Sequence, residues 1–322
     1  MQPLVTLRNL QVHFPLARSE VVRAVDGVHL QISPGEAVGL VGESGSGKST
    51  LARALLRLIP LTDGEVWFDG QPVHRFSEAQ MRPLRRQMQI VFQDPMASLN
   101  PRMRIGTILA EPLEVHGIAR GRQALEQAGR LLERVGLSKE YLNRYPHEFS
   151  GGQRQRICIA RAIATQPRLL VADEPTSALD VSIRAQIHDL LRHLQKEMNM
   201  AILFVTHDLH AVRQVCSRVE VMYLGKIVES APVQSLFTNP AHPYTQALLD
   251  AVLEPKPSQA RRSRPLPSGD VPTTIHVPAG CRFHTRCPYA QPRCREEEPI
   301  LREIGEAQHV ACHFPLSKAG QP

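Results

Sequence analysis

The sequence lacks any apolar run that approaches the roughly 18 residues a membrane-spanning helix needs. Its first segment, Met1 to Arg8, also lacks the basic-then-apolar layout of a secretory signal. Together these absences predict a chain that remains in the cytosol. Any role at a membrane would then depend on a partner protein.

Aromatic residues make up only 5% of the chain, and they do not interleave with a dense lysine and arginine tract. The net charge of +7 permits binding to phosphates, anionic lipid headgroups or nucleic acid without choosing among them. The nearest basic cluster is Arg261-Arg262-Ser263-Arg264, within a segment rich in proline and serine. A solvated linker is therefore favoured over a nucleic-acid contact, and we expect no nucleic-acid partner.

The chain does contain one strong motif, which fits the phosphate-binding pattern G-x-x-x-x-G-K-[ST]. Residues 37–41 before it predict a buried strand, and residues 51–58 after it predict a helix. Its glycines let the backbone wrap a phosphate, whereas a chance Gly/Ser-rich turn is the alternative reading of the motif alone. Lys48 would bind the β- and γ-phosphates, and Ser49 would ligate Mg²⁺. The predicted nucleotide-binding residues are Gly42, Glu43, Ser44, Gly45, Ser46, Gly47, Lys48, Ser49 and Thr50.

Polar side chains follow three further apolar runs. Asp173 and Glu174 end the run 169–172, where Asp173 is placed to hold Mg²⁺ and Glu174 to activate an attacking water. Gln93 ends another strand, where its amide could reach the metal or the water. His207 follows residues 204–206 and could hydrogen-bond the γ-phosphate. Each of these residues has an ordinary structural reading when it is taken alone.

A second anion site is predicted at residues 149–153. Ser150, Gly151, Gly152 and Gln153 open a predicted helix over 154–165, so backbone N–H groups would face an anion there. One nucleotide cannot easily use two such sites in one chain. The sequence therefore predicts a head-to-tail dimer in which each chain offers this site to its partner's nucleotide.

Strands that alternate with helices predict a parallel α/β sheet, with the helices of residues 94–166 as an insertion. Early strands are expected over 4–14, 25–32 and 65–68. Phe14 could stack on a nucleotide base, and a core position is an equally good reading. The composition changes to Pro, Ser, Arg and Cys beyond about residue 253. This change predicts a domain over 1–253 and an extension over 254–322.

Taken in order, the motifs resemble the nucleotide-binding subunit of an ATP-binding cassette (ABC) transporter over about residues 4–250. The resemblance implies an α/β, P-loop NTPase ABC ATPase fold with an antiparallel β subdomain, a helical subdomain near 94–166 and a small Cys-rich C-terminal extension. It also implies that ATP and Mg²⁺ close two such subunits into a sandwich. In its terms Gln93 is the Q-loop, His207 the switch histidine, and Ser177-Ala178-Leu179-Asp180 the D-loop.

Three runs, 91–102, 144–156 and 239–249, resemble the ATPases of dipeptide and oligopeptide importers, and 99–102 is closer to the F-type member. The implied partners are a sibling ATPase, two membrane permeases and an extracytoplasmic substrate-binding protein. The implied place is the cytoplasmic face of the inner membrane, with contact through the permeases only. Nickel importers share this architecture, so the cargo and the choice between homodimer and heterodimer stay open. A soluble non-transport ABC protein is disfavoured, since the chain has one cassette and no sustained heptads, and the importer-type tail disfavours an exporter.

Six cysteines are present, and Cys158 and Cys216 stand alone in apolar patterns that suit packing. The other four crowd into a polar tail, where disulfides are disfavoured in the cytosol and free packing thiols have no core to fill. Metal ligation would stabilise the fold of so small a segment. Their spacings of five, six and seventeen residues differ from zinc knuckles. The tail 280–288 resembles the C-terminal extension of peptide-importer ATPases, and the resemblance implies a [4Fe–4S] cluster because some of those extensions hold one. The prediction is a structural [4Fe–4S] site, ahead of Zn²⁺, on Cys281, Cys287, Cys294 and Cys312.

Overall fold

The computed structural model describes residues 2–16, 20–252 and 273–316. Its first strands form a three-stranded antiparallel sheet in the order β2-β1-β4, comprising β1 (Val5–Pro15), β2 (Val21–Ile32) and β4 (Asp63–Phe68). Alternating apolar residues bury one face of this sheet, as the period of two in a strand requires. The strand expected from Val25 begins four residues earlier, at Val21, because β1 and β2 continue their pairing as far as Pro15 and Val21.

A second sheet has eight strands in the order β10-β11-β9-β8-β3-β7-β6-β5. The strands from β5 to β8 in this order are parallel, as the alternation of strands and helices predicts. The remaining pairings are antiparallel, so the sheet is mixed. Its members are β3 (Ala37–Val41), β5 (Met88–Val91), β6 (Leu169–Asp173), β7 (Ala201–Thr206), β8 (Arg218–Tyr223), β9 (Lys226–Pro232), β10 (Arg302–Gly305) and β11 (Gln308–Val310).

Three central strands of this sheet end at one edge. Val41 of β3 pairs with Thr206 of β7, and Asp173 of β6 pairs with Val205. Because parallel strands share one direction, the loops that follow them open on the same side. All residues of these three strands are buried, so the positions at which the strands end are fixed by the packing of the core.

Helices occupy most of the chain between β5 and β6, where the sequence predicts a helical insertion. The long ones, α4, α5 and α6, pack against one another, and Leu109, Leu132 and Ile159 lie in their shared core. The first short helix begins at Pro95, and the Asp94 side chain caps its N-terminus. The four helices are α3 (Pro95–Ser98), α4 (Ile105–Val115), α5 (Gly121–Arg134) and α6 (Gly151–Ile163).

The other helices lie beside the sheets. None of the helices in the described ranges combines the length and the apolar character that a bilayer crossing requires. They are α1 (Lys48–Leu55), α2 (Glu78–Arg85), α7 (Val181–Met198), α8 (Leu209–Val215), α9 (Val233–Thr238), α10 (Pro243–Val252) and α11 (Pro292–Glu296).

Residues 273–316 are joined to the large sheet by a strand. Val310 of β11 pairs with Glu229 of β9, which adds the hairpin β10–β11 to the large sheet. The Glu229 carboxylate is fully buried and accepts hydrogen bonds from the backbone N–H groups of Ala241 and His242 at 2.8 and 2.9 Å and from Gln308 Nε2 at 2.9 Å. The division at residue 253 stays a prediction, and the basic run 261–264 lies outside the described residues.

Candidate functional site

The Gly42–Thr50 motif forms the turn between β3 and α1, as the sequence predicts. Gly47 has φ of 105°, and a Cβ there would lie 2.0 Å from the carbonyl oxygen of Ala24, so only glycine fits. Lys48 is 5% exposed, and its Nζ donates to the carbonyl oxygens of Gly42 and Glu43, each at 2.9 Å. Burial lowers the pKa of Lys48, and nearby carboxylates oppose this shift. The lysine is thus held inside the loop as a cation available to an anionic ligand.

Ser49 and Asp173 meet at the start of α1. The Ser49 Oγ donates a hydrogen bond of 2.8 Å to Asp173 Oδ1, and burial raises the pKa of Asp173. A hydroxyl and a carboxylate side by side are the oxygen ligands that Mg²⁺ accepts in nucleotide sites. The buried Ser46 Oγ has no hydrogen-bond partner among the described residues, which leaves it available within the loop. These residues fit a magnesium–nucleotide complex.

Glu174 lies beside the two other predicted catalytic residues. Gln93 Nε2 donates to Glu174 Oε2 at 2.9 Å, and His207 Nδ1 lies 3.4 Å from Glu174 Oε1. Glu174 has φ of 46°, a left-handed conformation uncommon for a side chain of this kind and typical of functional sites. Its backbone N–H is held by the carbonyl of Val205 at 2.9 Å. The structure therefore gathers an amide, a carboxylate and an imidazole where three strands end.

The Ser150–Gln153 segment lies at the N-terminus of α6. Ser150 is exposed and forms a capping box with Gln153, with the Ser150 Oγ accepting from the Gln153 N–H at 3.3 Å. The hydrogen bonds of the Ser150 side chain in the described structure are made within its own helix, not to the Gly42–Thr50 motif. Gly151 and Gly152 follow it. The predicted role of Ser150 through a partner chain thus stays a prediction.

Two other predicted residues lie on the surface. Asp180 precedes α7 and is exposed, and its neighbour Val181 is 80% exposed. Phe14 lies near the end of β1 opposite Val22 and is 39% exposed, so it is not a core residue. Base stacking by Phe14 and nucleotide contact by Asp180 remain predictions.

His188 is a residue whose position the sequence did not signal. Its Nε2 lies 3.2 Å from Thr176 Oγ1, two residues after Glu174, and its Nδ1 lies 2.9 Å from Gln214 Oε1 on α8. The ring is buried against Phe204 of β7, with centroids 5.8 Å apart. His188 thus bridges the segment after β6 to the helix that follows His207. The amphipathic pattern of residues 183–198 predicts that one face of α7 is buried, but it does not single out His188.

Two more contacts to the Gly42–Thr50 motif come from far along the chain. The Arg286 guanidinium donates to the Glu43 carboxylate at 2.8 and 3.1 Å, and Tyr244 Oη accepts from the Glu43 N–H at 2.8 Å. Tyr244 belongs to a run that signals only the importer resemblance. Arg286 lies in the run 280–288, which also signals only the importer resemblance, and it is 243 residues from Glu43.

All six cysteines are free thiols; Cys158 of α6 is buried in the main hydrophobic core, and the partly buried Cys216 packs against that core. The other four, Cys281, Cys287, Cys294 and Cys312, line one small cavity together with His284 and Phe314. Burial raises the pKa of Cys287 to about 11 and that of Cys312 to about 12. Across 2–16, 20–252 and 273–316, no group of three or more His, Cys, Asp or Glu side chains has the arrangement of a metal site. The cysteines are therefore neighbours without ligand geometry, and metal binding by them stays a prediction.

Comparison with known proteins shows which family the chain resembles. The family model described as "ABC transporter" matches residues 25–177, and that described as "Oligopeptide/dipeptide transporter, C-terminal region" matches residues 228–294. The oligopeptide transport ATP-binding protein AppF of Bacillus subtilis is 47% identical, over 97% of this chain and 98% of AppF. A Brucella ovis protein, whose name assigns it to peptide import and ATP binding, is 50% identical over 96% of this chain and 97% of its own.

Two solved structures are also similar to this chain in fold. The dimeric structure of the ABC transporter cassette MJ0796 has a TM-score of 0.66 and 31% identity, covering 71% of this chain and 98% of that one. A post-hydrolysis state of the same cassette, bound to ADP and Pi, has a TM-score of 0.65. This chain belongs to the ABC transporter family, among the ATP-binding proteins of oligopeptide and dipeptide transport.

Proposed function

We propose that this chain hydrolyses ATP to power the import of dipeptides or oligopeptides through membrane permeases. The observation that carries the proposal is the Ser49–Asp173 pair beside the group of Gln93, Glu174 and His207. The match of residues 228–294 to the oligopeptide/dipeptide C-terminal region and the names of the relatives support the cargo class. The chain supplies the energy and does not itself bind the cargo.

Each residue has a separate task in hydrolysis. The loop amides and Lys48 bind the β- and γ-phosphates, since a positive charge and helix N-terminal N–H groups favour an anion. Ser49 and Asp173 would hold Mg²⁺, with Gln93 in reach of either the metal or the water. Bound Mg²⁺ neutralises the charge that develops on the phosphates. Glu174 orients the attacking water and accepts its proton, and His207 hydrogen-bonds the γ-phosphate.

The active form in this proposal is a sandwich of two ATPases. The Ser150–Gln153 segment caps a helix whose N-terminus is exposed, so it can serve a nucleotide on a second chain. The MJ0796 cassette, similar to this chain, is described as dimeric. We propose a sibling ATPase as the second chain, two permeases that anchor the pair at the cytoplasmic face of the inner membrane, and an extracytoplasmic binding protein that delivers the peptide.

We also propose that the four tail cysteines bind a metal centre with a structural role, [4Fe–4S] ahead of Zn²⁺. The support is that their thiols line the same cavity, between residues 281–294 and 312. Thiolates must replace the protonated thiols on binding, so a centre would release protons and draw the ligands inward. A bound centre would restrict the motion of the turns at Cys281 and Cys287, which lie on either side of Arg286.

The function is tested by reconstituting the chain in liposomes with a sibling ATPase, two permeases and a substrate-binding protein of the peptide-importer type. Dipeptides or oligopeptides should raise ATP turnover and accumulate inside, and Lys48→Ala should abolish both. If a nickel chelate alone stimulates turnover, the cargo assignment is wrong while the ATPase role stands. Turnover that never responds to permeases would favour a non-transport ABC protein.

A further inference from the structure

The described part of the C-terminal extension touches the ATP-binding loop at one charged contact. We propose that Arg286 is a positioning residue for that loop, and that it acts on ATP binding through Glu43. The proposal rests on the proposed function in one respect only, namely that the Gly42–Thr50 loop binds ATP.

Every polar group of Glu43 is held by a partner from a different part of the fold. Its N–H donates to Tyr244 Oη at 2.8 Å, and its carbonyl oxygen accepts from Lys48 Nζ at 2.9 Å. Its carboxylate accepts two bonds from Arg286, at 2.8 Å from Nη1 and 3.1 Å from Nη2. The second residue of the loop is thus fixed by α10, by its own motif and by the extension.

Arg286 itself is held firmly. Its side chain is 12% exposed, and its guanidinium lies 5.8 Å from the ring centre of Phe283 and 6.0 Å from that of Tyr223. Tyr223 and Tyr244 pack at 4.6 Å, which joins the end of β8 to α10 at this point. A planar guanidinium that makes a bidentate contact with a carboxylate and stacks on aromatic rings loses little side-chain entropy on forming these contacts. The extension therefore presents a rigid cation to the loop.

Two physical effects follow for the nucleotide. A loop already fixed in one shape binds its ligand at a lower entropic cost than a mobile loop. The Glu43 carboxylate, which adjoins the predicted phosphate site, is also neutralised by Arg286 and so repels the triphosphate less. Both effects act on affinity rather than on the chemical step, because Arg286 touches neither Glu174 nor the Ser49–Asp173 pair. Removing Arg286 should weaken ATP binding and leave turnover at saturating ATP close to that of the native protein.

The test measures the Kd of the full chain for MgATP and the kcat and KM of the assembled transporter in a double-mutant cycle. Arg286→Ala should raise Kd and KM about tenfold, the scale of a lost charge-assisted hydrogen bond, with kcat within about twofold. The same change made in a Glu43→Gln background should have little further effect. The matched control is Arg293→Ala, which removes an exposed arginine from the same extension and its 2.8 Å bond to Glu297; it should leave Kd unchanged.

An unchanged Kd for Arg286→Ala would overturn the proposal, and so would an equal loss of affinity in the Glu43→Gln background. If Arg286→Ala does not fold, Arg286→Lys keeps a cation without the two-pronged contact and is run through the same cycle. Its Kd should rise about threefold, below the loss of a full charge-assisted bond, and no rise would count against the proposal. Because Kd needs no hydrolysis, a chain that binds MgATP but neither hydrolyses it nor transports would refute the proposed function alone.

Discussion

Gln93 donates a hydrogen bond of 2.9 Å to Glu174, and this bond joins the ends of β5 and β6 at the edge of the sheet. Gln93 also stands at the entrance to the helical insertion, just before the Asp94 cap of α3. A rearrangement of that insertion would therefore move the amide that orients the predicted catalytic base. The bond gives a physical route by which a movement of that insertion would reach the predicted site of hydrolysis.

Glu174→Gln should leave MgATP binding intact and lower steady-state turnover by about 10² to 10⁴-fold, the usual contribution of a general base. The amide keeps the size of the side chain but cannot accept the proton of water. Hydrolysis would then no longer reopen the sandwich, so ATP should trap a stable dimer. Turnover by phosphate release and dimer mass by light scattering are the measurements.

The control for this prediction is Glu197→Gln, which removes an exposed acid bonded to Arg134 on α5, away from the strand ends. It should hydrolyse ATP at the native rate. Native turnover in Glu174→Gln would show that another group is the base.

Ser150 should act on the nucleotide of the partner chain. A Lys48→Ala chain and a Ser150→Arg chain should each be inactive alone, whereas a mixture should regain nucleotide trapping at one of its two sites. That site combines an intact loop with an intact Ser150 from the other chain. If the natural dimer pairs two different ATPases, the two changes are placed on opposite partners. No recovery on mixing, with loss confined to each chain's own loop, would contradict the sandwich.

The four tail cysteines should bind metal. Protein purified without oxygen should be brown and absorb near 400 nm, as expected of thiolate-bound iron–sulfur clusters. Cys294→Ser should lose the colour, while Cys216→Ser, outside the cavity, should keep it. Colourless protein with about one zinc per chain would assign zinc instead. Four freely titratable thiols in metal-free protein would show that these cysteines do not bind a metal.

Asp26 should stabilise the described extension in a pH-dependent way. Arg282 is 6% exposed and donates to Asp26, and His13 Nε2 lies 3.0 Å from it. Burial raises the pKa of Asp26, but the hydrogen bond and charge of Arg282 outweigh it, so the pKa is lowered below 3.8. A lowered pKa in the folded state means that the stabilisation is complete above about pH 4 and is lost as the pH falls through the folded pKa.

Asp26→Asn should therefore cost about 2 kcal/mol of unfolding free energy at pH 7, because it leaves Arg282 buried without its counter-ion. Urea unfolding at several pH values is the measurement, and the cost should shrink toward pH 3. Asp69→Asn is the matched control, since its pair with Arg168 is nearly half exposed and should be worth at most about 1 kcal/mol. A cost that grows as the pH falls would contradict this assignment.

The sequence predicts well those features that depend on local pattern. The motif at Gly42–Thr50, the carboxylates after β6 and the helical segment before it all follow from runs of neighbouring residues. The hairpins β8–β9 and β10–β11 are local pairings that were not foreseen. The pairing of β11 with β9 was not foreseen because it joins segments about 80 residues apart. Arg286 and His188 were also missed. His188 belongs to no motif, and Arg286 lies in the run 280–288, which signals only the importer resemblance. Each gains its role only from the packing that brings it beside a distant loop.

The pairing of β11 with β9 has a consequence for how the chain folds as it is made. Synthesis proceeds from the N-terminus, so β9 is complete some 75 residues before its neighbour Gln308–Val310 leaves the ribosome. During that interval β9 is an open edge, with unpaired N–H and C=O groups that invite pairing with another chain. Glu229, on that strand, would meanwhile lack its bond from Gln308. We therefore expect truncation before β11 to yield aggregation-prone protein rather than a smaller soluble ATPase.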